Sequence, residues 1–141
     1  MRKLGGIILL AAMALLPRVA LGDAQYYRDA DGRQLYYTRD NCIYRYSDGR
    51  QIYYIRDDRV YRYSDGRQVY YMRNDRIYRY SDGNQVYYLR DGGIYSYSDG
   101  SQLYCIRDDR IYRYSDGRQV LYYQGEDLKL TVFMVLMLAD M

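Results

Sequence analysis

The fold this chain predicts is all-β, with tandem hairpins curled into an antiparallel meander, and three observations predict it. The stretch VYRYSDGRQVYYMRNDR recurs with a period of 17 residues, as 26–42, 43–59, 60–76, 77–93, 94–110 and 111–127, with nothing inserted between copies. A fixed short period makes a one-dimensional array of identical units that share a core with their neighbours. Each copy carries Asp-Gly, as at Asp48-Gly49 and Asp65-Gly66, flanked by residues of high strand propensity. That dipeptide suits a two-residue type I′ hairpin turn, because both central residues need positive φ. Each copy also carries a polar triplet, such as Asp57-Asp58-Arg59 or Asn74-Asp75-Arg76, so two turns divide each unit into two strands.

In chain order, the first element is a separate object. Arg2 and Lys3 precede an apolar run from Leu4 to Leu16, and Ala20-Leu21-Gly22 offers small residues for cleavage. This is the pattern of a secretory signal peptide over 1–22, a signal helix ahead of the repeats. The run is shorter than the roughly 20 residues a spanning helix needs, and the mature chain is expected to be secreted, periplasmic or at the cell surface.

The repeat domain, 23–127, follows. Side chains alternate faces along a strand, so an odd period keeps equivalent residues on one face only if the two loops differ in parity. Loops of two residues at Asp-Gly and three at the polar triplet satisfy that, with strands such as Ile43 to Ser47 and Arg50 to Arg56. In that register Tyr44, Tyr46, Gln51, Tyr53 and Ile55 share one face, and Tyr44 lies opposite Tyr53. This face is the expected core, concave under the twist of a curling, barrel-like or superhelical sheet. The competing arrangement is a β-solenoid with one coil per unit; Asp-Gly favours the meander. A transmembrane barrel is disfavoured, since such strands fall short of roughly nine residues.

The sixth copy decays, with Leu121 in a Tyr column, and 128–141 is apolar without a period. This tail reads as a terminal strand or short helix capping the array, or as a membrane-seeking segment.

Charge narrows the partners. The chain carries 21 basic and 18 acidic residues, and three of the basic ones, Arg2, Lys3 and Arg18, belong to the signal. The mature part is therefore neutral, without the basic excess of a nucleic-acid binder. Columns of arginine, such as Arg45, Arg62 and Arg79, suit either an anionic polymer or a solvated face balanced by the turn aspartates. Asp29-Ala30-Asp31-Gly32 has the alternating carboxylates of a calcium loop, but the other copies lack the first Asp and turn chemistry accounts for the rest. No metal or cofactor is expected. The chain has no His, and no nucleophile, base and orienting group come together, so it is not read as an enzyme. Cys42 and Cys105 are separated by about seven strands, too far to bridge in a regular array.

Asp-Gly-x-x-Tyr-Tyr, a polar turn and a further aromatic strand, as in DGRQIYYIRDDRVYRYSDG, resembles the aromatic hairpin repeats of choline-binding and glucan-binding cell-surface modules. Tyr-x-Tyr-x-Asp-Gly-Arg is similar to the YD repeats of large secreted bacterial shell proteins. The resemblance covers about 26–127. It implies aromatic pockets between hairpins that hold a cell-wall or sugar ligand, at Tyr46, Tyr53, Tyr63 and Tyr70 and their repeats Tyr80 and Tyr87. Two functions follow: a secreted, non-enzymatic module binding envelope polysaccharide, or a structural envelope protein that self-associates through sheet edges or tyrosine surfaces.

Overall fold

The structure, a computed structural model, describes residues 23–140; the signal segment expected over 1–22 lies outside the described residues. Twelve strands run in order around a closed barrel: β1 (Asp23–Arg28), β2 (Gln34–Arg39), β3 (Cys42–Arg45), β4 (Gln51–Arg56), β5 (Arg59–Arg62), β6 (Gln68–Arg73), β7 (Arg76–Arg79), β8 (Gln85–Arg90), β9 (Gly93–Ser96), β10 (Gln102–Arg107), β11 (Arg110–Arg113) and β12 (Gln119–Glu126). Each pairs antiparallel with its neighbours in the chain, and β1 pairs antiparallel with β12, Tyr26 opposite Tyr123. The expected meander is therefore closed, and the solenoid is excluded by up-and-down neighbours.

The two turns exchange the roles expected of them. The tight turn is the polar pair: Asp40-Asn41, Asp57-Asp58, Asn74-Asp75, Asp91-Gly92 and Asp108-Asp109 all have positive φ at both residues. Two consecutive left-handed residues define a type I′ hairpin, and Asn, Asp and Gly tolerate that conformation best. Asp-Gly instead belongs to a five-residue loop, 46–50 in the second copy. There the Gly49 amide donates to the Arg45 carbonyl at 2.8 Å and the Arg45 amide to the Arg50 carbonyl at 2.9 Å, and Gly49 supplies the positive φ of 70°. Loops of two and five still differ in parity, so equivalent residues keep one face: Ile43, Val60, Ile77, Ile94 and Ile111 are all at most 1% exposed.

The expected face is corrected by this. Tyr53 lies opposite Ile43, and Tyr44 lies opposite Tyr37, with a bulge between Ile43 and Tyr44 on the β4 side. The inner wall is thus Ile43, Tyr53 and Ile55 with their repeats, whereas Tyr44 is on the outer wall. Outer tyrosines stack across strand pairs, Tyr37 on Tyr44, Tyr54 on Tyr61, Tyr71 on Tyr78 and Tyr88 on Tyr95, with ring centres 4.9–5.0 Å apart. Such pairs contribute roughly 0.5–1.5 kcal/mol each beyond the area they bury. Cys42 and Cys105 are free thiols.

Of the forms expected of it, the tail takes the short helix, set inside the array rather than over its end. It forms α1 (Lys129–Ala139), and Leu130 to Leu136 are seven consecutive buried residues. Seven residues pass almost twice around a helix of 3.6 residues per turn, so wall surrounds α1 on every side and it lies in the lumen. Phe133 meets the inner-wall rings of Tyr70 and Tyr87 at 6.2 and 5.1 Å. At the tight-turn end, Lys129 reaches Asp75 at 3.4 Å. At the long-loop end, Asp140 accepts from Tyr104 at 2.6 Å and Arg113 at 2.9 Å. No helix among the described residues is long and apolar enough to cross a membrane.

Candidate functional site

The six long loops crown one mouth of the barrel, and five of them begin with a tyrosine that the core does not need. Tyr46, Tyr63, Tyr80, Tyr97 and Tyr114 are 55–61% exposed. Each is pinned through its backbone, because its amide donates to the other strand of the hairpin it leaves: Tyr46 to Leu35, Tyr63 to Ile52, Tyr80 to Val69, Tyr97 to Val86 and Tyr114 to Leu103, at 2.9–3.0 Å. The side chain is left over a recess between successive loops.

One such recess, about 460 Å³, is lined by Arg45, Arg50, Gln51, Ile52, Tyr53, Arg62, Tyr63 and Ser64. Another, about 470 Å³, is lined by Arg79, Asn84, Gln85, Val86, Tyr87, Ser96, Tyr97 and Ser98. These residues sit two periods apart, position for position, so the recess is a product of the repeat. At the seam the equivalent recess is lined by Arg113, Arg118, Gln119, Val120, Leu121, Arg28, Asp29 and Ala30. Both aromatic positions are lost there, Leu121 replacing the inner ring and Asp29 the outer.

Of the residues expected from sequence, Tyr53, Tyr70 and Tyr87 are on the inner wall, half-buried, and Tyr46, Tyr63 and Tyr80 are exposed on loops. The structure brings Tyr53 together with Tyr63 and sets Tyr80 against the hairpin that carries Tyr70. It does not join Tyr46 to Tyr53: Tyr46 is bonded through its amide to Leu35 of β2, while Tyr87 takes Tyr97 as its partner. Tyr97 and the recess amides Gln51 and Gln85 were not among the residues expected from sequence, although each stands in a column of the repeat that marked its neighbours.

The loop charges are organised locally. Asp48 Oδ1 accepts from its own loop, the Arg50 amide at 3.1 Å, and Oδ2 accepts from Arg45 Nη1 at 2.8 Å. The same pair of bonds recurs at Asp31, Asp65, Asp82 and Asp116. The amide bond first, then the guanidinium, holds these carboxyls below their ordinary range; at Asp99, where Ser96 replaces the arginine, the Ser101 amide and hydroxyl do so. Deeper in, burial pushes the Tyr36 and Tyr70 phenols up. The arrangement presents rings, amides and guanidinium groups.

The lumen has its own polar fastening at the opposite mouth. Asp127 accepts from Tyr26 at 2.5 Å and from Thr38 at 3.0 Å, and Thr38 in turn accepts from the Ala24 amide at 2.8 Å. Burial raises the Asp127 carboxyl above its usual range against the pull of those two bonds. Burial and the neighbouring Asp109 push Tyr123 up to about 12. Beside this cluster a mostly apolar cavity of about 210 Å³ opens between Ile94, Ile106 and Val132, where Gly92 and Gly93 replace the bulkier turn residues of the other copies. Comparison with protein-family models, curated proteins and solved structures finds no match.

Proposed function

We propose that the protein is a non-enzymatic binding module, working outside the cytoplasm, that holds carbohydrate of a cell envelope in the aromatic recesses of its crowned mouth. The observation that carries this reading is the recurrence of one recess, with an exposed tyrosine fixed at the backbone over an inner-wall tyrosine, an amide and polar loop atoms. A sugar presents an apolar C–H face and a rim of hydroxyls. Exposed aromatic rings suit the first, and glutamine, serine and arginine suit the second. Recesses repeated around one mouth also favour a polymer, since several weak contacts on one chain act at high effective concentration.

The test is titration of the processed protein with soluble envelope polysaccharides and a glycan panel. Replacing Tyr63, Tyr80 and Tyr97 by Ala together should weaken saturable binding at least tenfold while the thermal melt stays put, because these side chains are more than half exposed. Absence of saturable binding across the panel, or binding indifferent to the three changes, overturns the reading. The structural alternative, self-association, loses one of its two routes: with β1 paired to β12 no strand edge is left open among the described residues. Contact between tyrosine surfaces is left to it, and sedimentation at rising concentration reports that directly.

A further inference from the structure

The recesses are built alike but charged differently, and the difference points to the class of glycan. In the Tyr53–Tyr63 recess, Asp48 is already satisfied by Arg45 at 2.8 Å and by a backbone amide. Arg50, on the same lip, is 80% exposed and comes only to 4.0 Å of that carboxylate. Its guanidinium is therefore surplus to the loop. Arg33 repeats this one copy earlier, 79% exposed and 3.9 Å from Asp31. Arg67 occupies the same position one copy later and is exposed. Beyond it the position becomes Asn84 and then Ser101, and the inner arginine of the fifth copy becomes Ser96. The mouth thus carries a surplus guanidinium at this position in the first three copies and an uncharged Asn84 or Ser101 in the next two, before Arg118 restores the arginine at the seam, where both rings are lost.

We propose that the first three recesses select glycans that carry an oxyanion, a carboxylate or a phosphate on the sugar chain, with Arg33, Arg50 and Arg67 as the specificity-determining residues. A guanidinium fork pairs with either oxyanion through two parallel hydrogen bonds, and an exposed fork with spare donors is free to do so. The tyrosines beside it take the sugar ring, and the fourth and fifth recesses, with the same rings and no surplus charge, take neutral residues of the same polymer. This rests on the carbohydrate reading above.

The experiment compares polygalacturonate oligomers with their methyl esters, which lose the charge for one added methyl per sugar, and adds a glycerol-phosphate-bearing glycan to separate the two oxyanions. Calorimetric titration should show the acid at least tenfold tighter than the ester, with the preference shrinking as salt rises. Joint replacement of Arg33, Arg50 and Arg67 by Ser should bring the ratio close to one. The reverse change, Asn84→Arg with Ser96→Arg, should raise the number of acidic oligomers bound and keeps the proposal testable whatever the first variant's yield. Preference for the phosphate over the carboxylate names the source without altering the assignment. Equal binding of acid and ester, or a ratio untouched by the triple change, overturns the charge assignment and leaves the carbohydrate reading standing. Failure of both glycans and of the neutral panel overturns the two together.

Discussion

Asp48 and Asp127 are the same side chain put to opposite electrostatic use, and pH separates them. The six loop aspartates, Asp31, Asp48, Asp65, Asp82, Asp99 and Asp116, have carboxyls lowered by an amide hydrogen bond in the fold. A lowered folded-state value means stabilisation that is present above the unfolded pKa, roughly 3.9, and lost as pH falls through the folded one. Asp127 is raised by burial, so its sign is reversed: folding favours its protonated form, and that contribution fades as pH rises from about 4 through the raised value. Thermal melts from pH 7 to pH 2 should therefore show a loss on the acid side to which the six contribute. Asp127→Asn should leave that acid limb in place and flatten the slope above it. The identity of these aspartates as turn residues was legible in the sequence. Which of the two turns was the tight one was not, because Asp-Gly, Asp-Asp and Asn-Asp all tolerate left-handed φ, and the Tyr-Ser ahead of Asp-Gly lengthened one loop without leaving a local mark.

At the scale of the element, α1 shows why an apolar stretch without period is informative. A helix packed on one side alternates apolar and polar residues every 3.6 positions; one enclosed on all sides has no need to. LTVFMVL meets the second condition, yet the same residues suit a terminal strand or a membrane segment until a lumen exists to receive them. Inside, the helix replaces what would otherwise be an empty channel. Phe133 is 1% exposed and bears on Tyr70 and Tyr87, so Phe133→Ala should cost about 3–5 kcal/mol, read by chemical denaturation. A loss below about 1 kcal/mol would mean that the wall closes over the gap and that the helix is not its template.

The whole molecule depends on a pairing the repeat does not announce. Tight turns make strands neighbours within a hairpin and five-residue loops do so between hairpins, and that much follows from 17-residue spacing. Contact between β1 and β12, with Tyr27 stacked on Tyr122 at 5.0 Å, joins residues at opposite ends of the array and follows only from accumulated curvature. Barrel diameter grows with strand number, and twelve strands leave room for one helix. Deleting a single unit, 77–93, keeps every local signal but narrows the lumen. The shortened chain should retain strand signal in circular dichroism, lose its cooperative melt and bind a hydrophobic dye, because α1 no longer fits. A compact, cooperative deletion variant would instead mean that the array sets its own girth. Closure also gives the molecule a base and a lip. The Asp40 amide donates to Asp23 at 3.2 Å, which fixes the start of β1 at the tight-turn mouth, while the five exposed tyrosines ring the opposite one. Anything anchored ahead of Asp23, a bead, a fused partner or a cell surface, would therefore hold the barrel like a cup by its foot, with the aromatic brim turned outward.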